Sequence, residues 1–162
     1  MREQLRKALD QVSLIPTREC GQKETAILFG AIGLELYAAY SKLIQMEVEF
    51  SHAQEYLDNG QQSDVEETMQ MNSETLADMG CKFGKRSGEL MEQAERDREF
   101  REPISVWLQA LAGEMKRLEE YRIEDDAAKN IEEYLAGMRG ISEALREYLG
   151  FCIGNTAAWE KR

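Results

Sequence analysis

Apolar side chains recur at intervals of three and four residues along almost the whole chain, which is the spacing of amphipathic helices. No stretch shows the alternating Val, Ile or Thr pattern of a strand. The first helix is predicted at residues 2–13, where Leu5, Leu9 and Val12 share one side. Pro16 ends it, and the N-terminal helix and linker together occupy residues 1–21.

The strongest pattern belongs to a long helix predicted at residues 22–57. Its apolar positions form an a/d seam over four heptads, as in helices that pack lengthwise against a neighbour. Asp58-Asn59-Gly60 ends the helix, because Asn and Gly tolerate the left-handed conformation of a C-cap. The seam consists of Phe29, Ile32, Leu36, Ala39, Leu43, Met46, Phe50, Ala53 and Leu57.

A second apolar face runs along the same helix and is formed by Ile27, Leu34, Tyr37, Ile44 and Val48. A helix with two apolar faces is covered on two sides. Two explanations are open: the N-terminal helix folds back over this face, or a second copy of the chain covers it. The second copy is favoured, so these five residues are the predicted interface of a homodimer.

Further helices are predicted at 63–98, from Pro103 to about Ile123, and from Asp125 or Asp126 toward either Gly150 or Trp159. Pro103 either begins a new helix or kinks the preceding one. The expected fold is an all-α bundle of long antiparallel helices. It forms a single domain over residues 1–162, in which residues 22–162 make up the main bundle.

The formal net charge of −11, from 31 acidic and 20 basic residues, narrows the range of partners. Nucleic acid is not expected, because its phosphates must be neutralised by clustered Lys and Arg. The charge disfavours an anionic membrane surface but leaves it open. Three cysteines without a CxxC spacing, and a polar first segment, indicate a reduced cytoplasmic protein. The longest apolar run, 26–40, contains Glu35 and is judged too short to span a bilayer.

His52 is the only histidine, which argues against Ser-His-Asp and Cys-His catalysis. Glu49 and His52 have the Glu-x-x-His spacing of di-iron bundles, but such a site needs two of these pairs. The pair also lies off the apolar seam, where a solvated histidine is the simpler interpretation. The sequence therefore predicts no catalytic site, no bound metal and no cofactor. If a metal were bound, Glu49 and His52 would be its candidate ligands.

Gly80, Gly84 and Gly88 align on one side of the predicted 63–98 helix. Either another helix packs unusually close there, which is favoured, or the segment is a flexible break. Basic residues are also concentrated in the middle of the chain. They suggest either ordinary surface charge or a surface for electrostatic docking, within the molecule or to a partner, formed by Lys82, Lys85, Arg86, Arg96, Arg98 and Arg101.

The order of helices and the apolar spacing over residues 24–160 resemble BAR domains, the crescent-shaped dimers that bind curved membranes. The local resemblance is to the second helix of the sorting-nexin type. It is carried by Phe100-Arg101-Glu102-Pro103-Ile104, Trp107-Leu108 and Leu111. The chain departs from that family in being short and strongly acidic. The resemblance implies a membrane-binding dimer whose bases between 82 and 122 face the lipid.

Three functions follow as hypotheses. The favoured one is a non-catalytic helical scaffold or adaptor that acts by self-association and by binding protein partners. The second is a BAR-like membrane-binding dimer. The third is a metal-active or redox-active bundle, for which Cys81 beside Lys82 and Lys85 offers a candidate thiol.

Overall fold

A computed structural model describes residues 1–15, 23–95, 97–123 and 126–160, with the side chains of 23–26 and 155–160 excepted. Helix accounts for 88% of the described residues, and none of them forms a strand. The predicted all-α bundle is therefore confirmed. The helices are α1 (Glu3–Ser13), α2 (Lys23–Phe50), α3 (Ala53–Asp58), α4 (Gln62–Glu92), α5 (Arg98–Glu119) and α6 (Ala127–Glu160).

The four longest helices form the bundle as two antiparallel pairs. α4 and α5 make a hairpin joined by residues 93–97. α2 packs along α6, where Phe29 stacks on Tyr148 and the ring of Phe50 meets that of Tyr134 edge-on. Residue numbers rise along α2 as they fall along α6 at these contacts, so this pair is also antiparallel.

The predicted seam of α2 lies in the core. Every seam residue from Phe29 to Ala53 is buried, and Leu57 is half-buried against the same cluster. Trp107 of α5 is fully buried and stacks on Tyr148 of α6, with ring centroids 5.8 Å apart. Through Trp107, the α4–α5 hairpin is joined to the α2–α6 pair.

α1 belongs to the same core, because it packs against α5 and α6. Two ion pairs accompany this packing. Arg2 Nε lies 2.8 Å from Oε1 of the buried Glu114, and Arg6 Nη2 lies 2.9 Å from Glu147 Oε2. The apolar side of α1 is buried over its whole length, at Leu5, Ala8, Leu9 and Val12.

The end of the first long helix differs from the prediction in one respect. The helix expected to run to Leu57 ends at Phe50, and α3 follows after a turn at Ser51 and His52. The expected stop beyond α3 is confirmed, since Gly60 has a φ of +75°. In that conformation a side chain would be strained, which is why glycine suits this position.

The break between α4 and α5 lies at residues 93–97 rather than at Pro103. Pro103 sits inside α5, so the expectation that it starts a helix or marks the break is wrong. Having no N–H, Pro103 removes one hydrogen bond from the helix, yet α5 continues through it. The start of α6 agrees with the prediction, because the Lys129 N–H donates to Asp126 Oδ1 over 3.2 Å.

The glycine ridge of α4 is helical, which removes the flexible break as an explanation. A Cβ built on Gly84 or Gly88 would meet no atom within 4 Å, so close packing is wrong for these two within the described chain. A Cβ built on Gly80 would make only an ordinary contact, 3.6 Å from the Ala112 carbonyl oxygen. Tight approaches occur instead at Gly137, where a Cβ would lie 2.7 Å from Leu118 Cδ2, and at Gly33, where it would lie 2.9 Å from Cys152 Sγ.

These two kinds of glycine should respond in opposite ways to alanine. Gly84→Ala is expected to raise the free energy of unfolding by about 0.5–1 kcal/mol, because alanine loses less backbone entropy in a helix. Gly137→Ala is the matched control and should show no gain, since Leu118 must first move. Urea unfolding followed by circular dichroism measures both. A loss of stability in Gly84→Ala would contradict the open surface found around α4.

Candidate interaction surface

The most unusual surface of the molecule is the outer side of α2, opposite its buried seam. Leu34 is 76% exposed, and Ile27, Tyr37 and Val48 are each about 60% exposed, while Ile44 is half-buried. Smaller side chains lie between them. We call the row of positions along this side the outer stripe; it consists of Ile27, Ala31, Leu34, Ala38, Ser41, Gln45 and Val48, with Tyr37 and Ile44 along one edge.

The outer stripe is apolar in a protein whose surface is otherwise rich in charge. The chain is 31% charged, yet between Ile27 and Ser41 the only charged residue on α2 is Glu35. Large apolar side chains exposed singly are ordinary, but several on one face of a helix mark a candidate interaction site, here with Ser41 and Gln45 between Leu34 and Val48. All five predicted interface residues lie on this side of α2 or at its edge.

α1 does not cover the outer stripe. It uses its whole apolar side against α5 and α6, and the large side chains of the stripe remain exposed. The alternative in which the N-terminal helix folds back over this face is therefore wrong. The physical reason is that α5 and α6 offer α1 both an apolar groove and the carboxylates of Glu114 and Glu147.

Charged residues flank the stripe. On the side toward α4, Glu35 Oε1 lies 3.2 Å from Arg86 Nε. On the side toward α6, Glu47 Oε1 lies 2.9 Å from Arg139 Nε. Lys42 is exposed and has no ion-pair partner among the described residues. The flanks therefore contain one basic side chain whose charge the described part of the chain does not neutralise.

Three residues of the predicted basic surface, Lys82, Arg86 and Arg101, are paired with neighbouring acids. Lys82, Lys85 and Arg86 line an open groove of about 380 Å³ between α2 and α4, but Glu35 and Glu89 line it too. Lys82 Nζ also lies 3.0 Å from Asp78 Oδ2. These pairings favour ordinary surface charge over a docking site for an anion.

The other predicted bases belong to the beginning of α5 or precede it. Arg101 is paired with Asp97, whose carboxylate oxygen lies 2.7 Å from Arg101 Nε; this hydrogen bond lowers the pKa of Asp97. Arg98 is exposed, and Arg96 lies outside the described residues.

The metal candidates do not form a ligand set. His52 is exposed, and its nearest carboxylate is that of Glu55, 3.8 Å from Nδ1. Glu49 is also exposed and accepts a hydrogen bond from Gln45 over 3.2 Å. Within the described ranges, no three His, Cys, Asp or Glu side chains come together as metal ligands would.

The two described cysteines differ in their surroundings. Cys152 is half-buried beside Tyr148, and burial raises the pKa of its thiol to about 11. A thiol with that pKa is protonated at neutral pH and is a poor nucleophile. Cys81 is exposed and free, and Cys20 lies outside the described residues.

Two buried polar residues differ in how far the sequence pattern indicated them: the apolar spacing of the predicted 63–98 helix includes Asn72, whereas Ser142 was not predicted to be buried. Ser142 and Asn72 are buried on helix faces that otherwise pack apolar side chains, and Ser142 Oγ and Asn72 Nδ2 have no hydrogen-bond partner within the part of the chain that the structure describes. Ser142 borders a cleft of about 240 Å³ between α2 and α6. Helical spacing shows which face of a helix is buried, but it does not show whether a polar side chain on that face has a hydrogen-bond partner.

By length and composition alone, one helical stretch in the described part of the chain, Ile27–Asp58, could cross a membrane. The apolar run 26–40 was judged too short by itself, whereas this longer stretch meets both criteria. Of the 18 most apolar consecutive residues in this stretch, a third are buried inside the bundle. The core helix of a soluble protein meets the same two criteria of length and composition.

Comparisons with family models, curated proteins and solved structures give no match to the chain. The class of protein is therefore defined by its own fold and surface: an acidic all-α bundle with one exposed apolar helix face. The resemblance to BAR domains and the lack of enzymatic activity stay predictions.

Proposed function

We propose that this protein is a non-catalytic helical scaffold that acts through self-association and protein binding, with the outer stripe of α2 as its interface. The observation that supports this proposal is the exposure of Ile27, Leu34, Tyr37 and Val48 after every helix of the described chain has packed. A second copy of the chain brings an identical apolar stripe. Two such faces can therefore cover each other through a two-fold axis.

The size of the stripe suggests a reversible dimer. A helix of 28 residues is about 42 Å long, so one helix face falls at the low end of stable interfaces, which bury roughly 1,200–2,000 Å² in total. Burying each large apolar side chain contributes roughly 1.5–3 kcal/mol, against an association cost of about 4–15 kcal/mol. The expected dimer therefore depends on protein concentration.

The proposal is tested with Leu34→Glu, because Leu34 is the most exposed large residue of the stripe. A carboxylate there would have to be buried in the interface, so we expect the dissociation constant of the dimer to rise by more than about tenfold. Sedimentation velocity over a range of concentrations measures it. Since Leu34 is exposed, circular dichroism should show an unchanged bundle.

Met71→Glu is the matched control, because Met71 is 65% exposed on α4, away from the outer stripe. It should dimerise like the unmodified chain. A chain that stays monomeric at every concentration would contradict the proposal, and so would equal weakening by both substitutions.

A membrane is the other surface that an apolar stripe could meet. Co-sedimentation with anionic vesicles distinguishes the two cases, because the net charge of −11 opposes binding to anionic lipid. We expect the protein to stay in the supernatant. If the protein pellets with the vesicles and Leu34→Glu abolishes this pelleting, the outer stripe is a membrane-binding surface and the proposed protein interface is wrong.

A further inference from the structure

We infer that the second copy docks on α2 in an antiparallel orientation and in a single register, with the two-fold axis crossing between Ala38 and Ser41. This inference rests on the proposed self-association and specifies its geometry. The outer stripe has its own heptad spacing, alternating four and three residues from Ile27 to Val48. It is thus a second a/d seam, on the exposed side of a helix whose first seam is already buried.

The two flanks of this second seam differ in chemistry. On the flank toward α6, the positions of α2 next to the seam are Gly30, Tyr37 and Ile44, which carry no charge; the charges beyond them include Glu47 and Arg139, which pair with each other. The other flank, toward α4, carries Glu35, Lys42 and Glu49. Residues at flanking positions determine orientation and register in paired helices, because they face each other across the seam.

A parallel pair would bring opposite flanks together. In that arrangement Lys42 would face Tyr37 of the second copy, and Glu35 would face Gly30 of the second copy, so no ion pair forms. An antiparallel pair brings equal flanks together. With the axis between Ala38 and Ser41, Glu35 of each copy faces Lys42 of the other, and Tyr37 of each copy faces Ile44 of the other.

The neighbouring antiparallel registers are opposed by charge. A shift of one heptad in one direction places Glu35 against Glu35 of the second copy. A shift in the other direction places Lys42 against Lys42 and Glu35 against Glu49. Both shifts bring like charges together, so one register is attractive and its neighbours are repulsive. In the attractive register Ala38 packs against Ser41 of the second copy, and these small side chains let the two helices approach closely.

The side chains needed for this contact are accessible. Lys42 is exposed and has no ion-pair partner in the described ranges, and the Glu35 side chain is 43% exposed although Arg86 contacts it. Docking would therefore add Lys42 of the second copy to an existing Glu35–Arg86 pair. No described helix covers the stripe, so the second copy does not have to displace any part of the bundle.

The test uses charge reversal in the full-length chain. Lys42→Glu should weaken the dimer by on the order of tenfold, because two attractive pairs become two repulsive ones. Glu35→Lys should weaken it as well.

An equimolar mixture of the Lys42→Glu and Glu35→Lys variants should dimerise about as tightly as the unmodified chain, because both contacts are again between opposite charges. Lys116→Glu, at an exposed position on α5, is the control for the change in net charge and should have little effect.

A distance measurement tests orientation independently of the charges. A spin label on Glu49→Cys, in a chain whose three native cysteines are replaced, should report roughly 30 Å between copies in the antiparallel dimer and roughly 10–15 Å in a parallel one. A short distance would overturn the inferred orientation. Equal behaviour of Lys42→Glu and Lys116→Glu would overturn the register. If either result is found but the unmodified chain dimerises and Leu34→Glu disrupts the dimer, only the inferred geometry fails and the proposed function is retained. If the unmodified chain is monomeric, both the geometry and the proposed function are contradicted.

Discussion

Replacing Trp107 with alanine is expected to lower the free energy of unfolding by about 3–5 kcal/mol, the usual range for a buried tryptophan. Trp107 is fully buried on α5 and stacks on Tyr148, which in turn stacks on Phe29 with ring centroids 4.6 Å apart. This column of three rings crosses from the α4–α5 hairpin through α6 to α2. Its removal leaves a cavity where the two halves of the bundle meet. Urea unfolding followed by circular dichroism measures the loss.

Val106→Ala is the control, since Val106 precedes Trp107 in the same helix but is 47% exposed. Its effect should stay within about 0.5 kcal/mol, as for most surface substitutions. Trp107 Nε1 has no hydrogen-bond partner within the described residues, so the expected loss comes from packing. Similar small effects for both substitutions would show that the two antiparallel pairs are not joined through this column.

The second large effect is expected in α1. Leu9→Ala should lower the free energy of unfolding by about 2–5 kcal/mol, because Leu9 is fully buried between α1 and the α5–α6 surface. An effect of this size would mean that the short first helix is part of the cooperative core. Thermal and urea unfolding of the two proteins give the difference.

Lys7→Ala is the matched control in the same helix. The Lys7 side chain is 75% exposed, and its one ion-pair partner among the described residues is Glu3, one turn earlier and 3.2 Å away. Pairs of this kind contribute about 0.3–0.5 kcal/mol. A Leu9→Ala variant as stable as Lys7→Ala would indicate that α1 is not held on α5 and α6 in solution. The outer stripe of α2 would then again be available to α1.

Helical periodicity was sufficient to predict the buried side of α2, because a seam of nine apolar residues has only one way to face a core. The stop at Gly60 was predictable for an equally local reason, namely the left-handed conformation that glycine adopts there. The break at Ser51 and His52 was not, because the seam keeps its spacing across the turn and both residues are compatible with helix. The break before α5 was assigned to Pro103, although proline can be accommodated inside a helix at the cost of one hydrogen bond.

The candidate interface was predicted in part. The pattern identified a second apolar face on α2, but periodicity shows which side of a helix is apolar and not what covers it. The position of α1 depends on Arg2 with Glu114 and on Arg6 with Glu147, pairs more than 100 residues apart in the chain. The glycines illustrate the same limit. Gly84 and Gly137 both lie in helices, and only the surrounding atoms distinguish an open surface from a close contact.

The pairing of α2 with α6 has a consequence for synthesis on the ribosome. α2 ends at Phe50, whereas its main partner α6 begins at Ala127. At about 5–20 residues per second, the ribosome needs roughly 4–15 s to reach α6 after completing α2. During that interval the seam that α6 will bury is uncovered, as is the outer stripe. Neighbouring ribosomes on one messenger therefore carry identical apolar helices before either bundle has closed, so the self-association proposed above would be able to begin during translation.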